Sequence, residues 1–138
     1  MITEDYVSFE TAKLLKEKGF DEATYRAYIE TNKEHQLSFD VGRNNSQWEK
    51  INKENSIFNC SAPTLQMTMK WLREVHKIHV SVEMGFDVDN RQYFFFAPSI
   101  CKFSNKTGEY QTPFGEKEFD SYEDACEAAI KYCLENLI

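Results

Sequence analysis

The amino-acid sequence predicts an α+β fold, in which a three-stranded antiparallel sheet has helices packed on one face and is preceded by an N-terminal helix and an irregular segment. One observation behind this prediction is the strict alternation of apolar and polar side chains over residues 78–88, which is typical of a strand with one buried face. A second is the repeat of apolar side chains at helical spacing over residues 65–75. Because the period changes near Lys77, a helix is predicted to end there and a strand to begin.

The first predicted element is a helix over residues 9–18. Ser8 is a favourable N-cap, and Gly19 suits the position just after the helix, where the left-handed conformation is common. Residues 21–60 show no clear period apart from a brief alternation at 37–41, which favours a short strand. Their second half is rich in Asn, Lys and Glu, so we expect a loop with little regular structure there.

Residues 63–138 predict the order helix, strand, strand, strand, helix. Pro63 suits the first turn of a helix that reaches about His76. The last helix begins at a cap formed by Asp120 or Ser121, and acidic residues follow in its first turn, where the helix dipole favours them. Both helices would pack on one face of an antiparallel meander and bury the apolar side of its first strand.

Turn-forming residues separate the strands of this meander. The first strand, 78–88, is followed by a turn at 89–90. The second strand covers residues 92–97 and would stop at Pro98, because proline cannot donate to a strand ladder. A third strand is expected between residues 100 and 111.

The length and charge of the chain limit its organisation and partners. A chain of 138 residues suits one domain, in which residues 1–60 form the N-terminal helix and an irregular covering segment and residues 61–138 form the core. A formal net charge of −7 leaves few cations for phosphate groups, which makes nucleic acid a less favoured partner. The sequence shows no signal peptide and no apolar run long enough to span a bilayer, so we expect a cytoplasmic location and no membrane association.

The sequence carries no catalytic or cofactor-binding motif. A phosphate-binding loop, a nucleophile elbow and a metalloprotease motif are all absent, so we expect no cofactor and no enzyme activity. His76 and His79 have a spacing found in zinc sites, but they straddle a predicted helix end, which favours a structural role. Cys126 and Cys133 share a helix face with Ala129, which places both thiols in the core. We therefore predict neither a metal site nor a catalytic residue.

Four consecutive aromatic residues, 93–96, occupy the second predicted strand. Alternation puts two of them in the core and two on the outer face of the sheet. An exposed aromatic pair requires a cover or a ligand, and residues 1–60 would supply an internal cover. If that face is open, it is the candidate partner-binding face, and its residues are His79, Ser81, Glu83, Tyr93 and Phe95.

Four segments of the chain resemble a family of small uncharacterised proteins of gut anaerobic bacteria and of their phages and mobile elements. The segments are YVSFETAKLLKEKGF at 6–20, APT at 62–64, WLREVHKI at 71–78 and SYEDA at 121–125. The family brings no assigned chemistry and no catalytic residue. The resemblance implies a context, that of an accessory protein of a phage or an integrated element.

The order of elements in the C-terminal half also resembles the topology of the double-stranded-RNA-binding domain. That family binds phosphates through a basic cluster at the start of its last helix, whereas residues 120–124 here are acidic. RNA binding therefore does not follow from the topology.

Three hypotheses of function follow from the sequence. The leading one is a non-catalytic protein-interaction module, accessory to a phage or mobile element, with an unknown protein partner. The alternative is a nucleic-acid-binding protein that uses Arg73, Lys77 and Arg91. An enzyme is the least favoured of the three.

Overall fold

The computed structural model describes residues 1–87, 89 and 93–138, and its chain divides into two compact units, 1–64 and 65–138. The organisation as one domain stays a prediction. The residues outside this description are Val88, Asn90, Arg91 and Gln92. The sequence predicts that they lie in the turn between the first two strands of the meander or at the ends of those strands.

The described residues form an α+β fold, as predicted, with four helices and two three-stranded antiparallel sheets. The strand orders are β2-β1-β3 in the first unit and β4-β5-β6 in the second. The elements in chain order are α1 (Phe9–Glu17), β1 (Arg26–Thr31), β2 (Glu34–Phe39), α2 (Asn45–Asn55), β3 (Cys60–Ser61), α3 (Leu65–Val75), β4 (Ile78–Asp87), β5 (Tyr93–Ser104), β6 (Thr107–Gln111) and α4 (Tyr122–Asn136).

The start of the first unit follows the sequence prediction. The Ser8 side chain accepts a hydrogen bond from the N–H of Thr11 and caps α1. Gly19 has a φ of 91°, and the N–H of Phe20 donates to the carbonyl of Leu15, which completes the helix end. Beyond this point the prediction of an irregular segment is wrong, because β1 and β2 form a regular antiparallel hairpin. The short strand expected at 37–41 overlaps β2.

Residues 45–55 form helix α2, so the prediction of a loop over these residues is also wrong. A capping box between Asn44 and Gln47 starts the helix. Its buried positions are Asn45, Trp48 and Asn52, which have helical spacing but are polar at two of the three sites. The helical period is therefore present in the sequence, but two asparagines and one tryptophan carry it, and not a stripe of apolar side chains.

These buried asparagines take the place of a neighbouring strand. Asn52 donates from Nδ2 to the carbonyl of Asn59 and accepts the N–H of Asn59 at Oδ1, both at 2.8 Å. Asn45 accepts the N–H of Ser61 at 3.0 Å and donates to the carbonyl of Phe20 at 2.8 Å. The two amides satisfy backbone groups of residues 59–61 that would otherwise be buried without partners.

The second unit has the predicted order of helix, three strands and helix. Lys77 adopts a left-handed conformation, with a φ of 58°, where the chain leaves α3 and enters β4. Both helices pack against β4, and α4 also packs against β5. The buried core between helices and sheet includes Leu65, Met69, Leu72, Ile78, Val80, Ile100, Ala125, Cys126, Ala129, Ile130, Cys133 and Leu134.

Strand β5 continues through Pro98, contrary to the prediction that proline ends it. The N–H of Phe96 donates to Phe119, on the side away from β4. Since backbone groups alternate along a strand, the nitrogen of Pro98 also points away from β4. Strand β6 begins to pair only at Ile100, so the missing N–H of Pro98 falls where no ladder bond is needed.

Candidate protein-interaction surface

The β4–β5 hairpin is much longer than the helices that pack on it. Strands β4 and β5 have 10 and 12 residues, which gives lengths of roughly 33 and 40 Å. Helices α3 and α4 have 11 and 15 residues, or roughly 17 and 22 Å. The helices can therefore cover only part of the hairpin, and the remainder extends past them.

The apolar face of the hairpin is buried at one end and exposed at the other. Ile78 and Val80 are buried, but Met84, Phe86 and Phe94 are 65%, 56% and 58% exposed. We call these three residues the apolar tip. The expectations that the apolar face would be buried along its length, and that Phe94 would join the core, are therefore wrong. The sequence contains a signal for this exposure, because the predicted strand 78–88 is longer than the predicted helix 63–76 that packs on it.

The apolar tip is one contiguous patch on a well-supported backbone. In the strand register Phe86 pairs with Phe94, and Met84 pairs with Phe96. Phe96 exchanges two backbone hydrogen bonds of 2.9 Å with Phe119, and its ring lies edge-on to Tyr122 at 6.4 Å between centroids. These contacts join the base of the tip to the segment that leads into α4.

The structure brings the predicted partner-binding residues together on the opposite face of the same hairpin. Their positions follow from a register in which residues 79, 81, 83, 85 and 87 of β4 pair with 101, 99, 97, 95 and 93 of β5. His79 and Glu83 are exposed, whereas Ser81, Tyr93 and Phe95 are half-buried. The expectation that residues 1–60 cover this face stays a prediction.

The two aromatic rings of this face have partners within the hairpin and the loop before α4. The Phe95 ring lies over Gly85, so close that a Cβ at residue 85 would be 2.3 Å from the ring. Tyr93 donates its phenol hydrogen to Glu118 Oε2 at 2.6 Å. Both rings are half-buried, whereas the three side chains of the apolar tip are exposed, so the tip is the more accessible apolar surface of the hairpin.

The outer edge of β4 is a second feature of the hairpin, because β4 is the terminal strand of its sheet. The N–H of Phe103 donates to the carbonyl of Lys77 at 2.9 Å, so the odd-numbered residues of β4 exchange bonds with β5. The even-numbered residues Val80, Val82 and Met84 therefore direct their N–H and C=O groups away from β5. This edge offers a row of backbone groups for pairing with another strand.

Burial shifts the pKa of three titratable groups in this unit, namely His76, Cys126 and Cys133. Burial, and then the charge of Lys102, lower the pKa of His76, whose Nε2 is buried without a hydrogen-bond partner in the structure. Burial raises the pKa of Cys133 to about 12 and also raises that of Cys126. Thiols in this state are poor nucleophiles. Within residues 1–87, 89 and 93–138, no three His, Cys, Asp or Glu side chains converge as metal ligands would.

The cations of the alternative hypothesis lie at the junction of α3 and β4. Arg73 is half-buried in the last turn of α3. Lys77 donates from Nζ to the carbonyl of Glu74 at 3.0 Å. Arg91 lies outside the described residues, so the grouping of the three cations stays a prediction.

Within the described part of the chain, no helix is long and apolar enough to cross a membrane. Comparison of the chain with protein-family models, with curated proteins and with solved structures gave no match.

Proposed function

We propose that this chain is a non-catalytic protein-interaction module and that it binds its partner through the apolar tip of the β4–β5 hairpin. The observation that carries the proposal is that Met84, Phe86 and Phe94 are each more than half exposed and are neighbours on one face, where Phe86 pairs with Phe94 and Met84 is two residues from Phe86. Single exposed apolar residues are common, but contiguous groups of large ones mark interaction sites.

The shape of the tip favours a protein over a small molecule. Small-molecule sites are concave and enclose most of the ligand. The apolar tip instead lies on the part of a hairpin that extends past its helices, which suits a flat or grooved partner surface. Aromatic residues and Met are also the types that protein interfaces enrich.

The charge of the hairpin favours a protein over a nucleic acid. Over residues 78–104 the sequence holds two cations, Arg91 and Lys102, against three acids, Glu83, Asp87 and Asp89. Lys102 pairs with Ile78 at the end opposite the tip. A nucleic-acid site needs several cations to displace counterions from phosphates. Base stacking on Phe86 and Phe94 would lack that electrostatic support.

The resemblance of segments 6–20 and 71–78 to proteins of gut anaerobes and their phages supports an accessory role in a phage or mobile element. We also propose a cytoplasmic location, where a reducing environment would keep the four cysteines free, as they are in the structure.

Site-specific photo-cross-linking tests the proposal. The photoreactive residue p-benzoyl-phenylalanine replaces Phe94 in one sample and Phe39 in a control, since Phe39 is 81% exposed but belongs to the other unit. Irradiation in a lysate of a gut anaerobic bacterium should give a discrete protein adduct from position 94 and not from position 39.

A second substitution links the adduct to the tip. Met84→Ser, added to the chain that carries the probe at position 94, should abolish the adduct while the far-ultraviolet circular dichroism is unchanged. Equal labelling from positions 94 and 39, or an adduct that Met84→Ser leaves intact, would show that the tip is not a docking site.

A further inference from the structure

We propose that the free edge of β4 pairs with β4 of a second copy of this chain, which joins two three-stranded sheets into one antiparallel sheet of six strands. This inference rests on the proposed function, because it names the partner of the same hairpin. It is argued from the backbone geometry of the edge and from the charge and polarity of its side chains.

The edge is long and carries no proline, lysine, arginine or bulge. Strand β4 has 10 residues, and none of them is Pro, Lys or Arg. Natural edge strands are commonly short, or carry proline, lysine or a bulge that prevents pairing. The register of β4 with β5 runs without a bulge from Ile78 to Asp87. The edge of β4 is therefore competent to accept another strand.

Backbone geometry restricts how two such edges can pair. The outward N–H and C=O groups belong to the even-numbered residues of β4. In the pairing, each even-numbered residue must therefore lie opposite an even-numbered residue of the second copy. Side chains directly opposite each other lie on the same face of the combined sheet. Apolar positions then meet apolar positions, and the odd-numbered polar positions meet each other.

Complementary polar side chains select one register among those that remain. In a two-fold pairing centred on Ser81, His79 opposes Glu83 of the partner subunit, and symmetry creates this contact twice. Both side chains are exposed in the single chain. A pairing centred on Val82 would instead put His79 opposite Gly85 of the partner subunit and leave the carboxylate without a basic neighbour. An imidazole can donate a hydrogen bond to a carboxylate directly across the strand pair, so we infer the register centred on Ser81.

This arrangement also covers exposed apolar side chains. A two-fold axis perpendicular to the sheet keeps the helices of both copies on the same face. Met84 then opposes Ile78 of the partner subunit, at the end of the strand that α3 enters. Val75, in the last turn of α3, is 56% exposed in the single chain and lies close to that junction. The pairing brings part of the apolar tip beside this exposed end of α3.

Disulfide trapping tests the register in the full-length chain. In the pairing centred on Ser81, the two copies of residue 81 form a non-hydrogen-bonded pair with Cα atoms about 4.5 Å apart, which a disulfide can bridge. Residue 99 pairs with residue 81 on the neighbouring strand, so its two copies would lie three strand spacings apart, or roughly 14 Å, which is too far. Under mild oxidation Ser81→Cys should form a covalent dimer, whereas Ser99→Cys and the unsubstituted chain should not.

Sedimentation equilibrium tests the association without a cross-link. The chain should sediment at twice its mass of 16.2 kDa at micromolar concentration. Val82→Pro removes an outward N–H and should shift the chain to monomer, and proline is tolerated at such an edge position. Val82→Thr, which keeps the N–H, is the matched control and should remain dimeric.

A monomeric wild-type chain at all concentrations, or a dimer in which Ser81→Cys gives no disulfide, would overturn the inference. Its failure is distinct from that of the proposed function. A monomeric chain that still gives a Met84-dependent adduct with another protein would leave the interaction module standing and remove only the second copy as its partner.

Discussion

The Asn52→Ala substitution removes the side chain that pairs with the backbone of Asn59. In the native chain the amide of Asn52 both donates to and accepts from this backbone, with two hydrogen bonds of 2.8 Å. Asn52 and Asn59 are both buried, so water does not readily replace the lost amide. The substitution leaves the N–H and the C=O of Asn59 without these bonds.

The expected loss of stability follows from these two groups. A buried backbone group without a partner costs about 1–3 kcal/mol. Alanine has the better helix propensity, which returns about 0.5 kcal/mol in α2. The free energy of unfolding of the first unit should therefore fall by about 2–5 kcal/mol. Since small domains have about 5–15 kcal/mol in total, the loss would be easy to measure.

Urea unfolding followed by tryptophan fluorescence measures this loss. Trp48 is buried in α2 and reports on the first unit, and Trp71→Phe silences the other tryptophan in all samples. Asn55→Ala is the control, because Asn55 lies in the same helix but is exposed. Its effect should stay within about 0.5 kcal/mol. If Asn52→Ala costs no more than Asn55→Ala, the buried amide does not support α2 as we reason.

Two further predictions concern the second unit. Gly85→Ala should lower the free energy of unfolding by about 1–3 kcal/mol, because the new Cβ would overlap the Phe95 ring. In a double-mutant cycle of urea midpoints, Phe95→Ala should remove most of that loss. Equal losses with and without the Phe95 ring would contradict the ring contact. Folding lowers the pKa of His76 from its ordinary value of 6.5, so the unfolded chain binds a proton more readily than the folded chain. The free energy of unfolding therefore falls as the pH is lowered through about 6.5. The urea midpoint should drop between pH 7.5 and 5.5, and this drop should shrink in His76→Phe but persist in His79→Phe.

The sequence predicts elements well where local signals agree with the final packing. Helix α1 lies between a Ser8 cap and Gly19, and α4 starts at Ser121, whose side chain accepts the N–H of Asp124. Each of these signals acts within a few residues, so no knowledge of the tertiary fold is needed to interpret it. The change of period at Lys77 marks the junction of α3 and β4 for the same reason.

The sequence fails where a residue type is chosen by a distant partner. Asn45 and Asn52 occupy the buried side of α2 because they bond to backbone groups of other segments, and nothing adjacent to them in sequence indicates those partners. Pro98 is tolerated inside β5 because β6 begins to pair only two residues later. Both facts depend on where other strands and loops lie, which the local pattern does not encode.

The apolar tip shows a different limit of pattern analysis. The alternation at Met84 and Phe86 indicates which face of the strand is apolar, but it does not indicate how far the helices extend along that face. Polar side chains at these positions would preserve the strand and would be well solvated beyond the end of the helices. Large apolar side chains instead leave Met84, Phe86 and Phe94 in water, at a cost that folding of the single chain does not recover. A complex that buried them would recover this free energy, which is the physical reason for our proposal that this hairpin binds a partner.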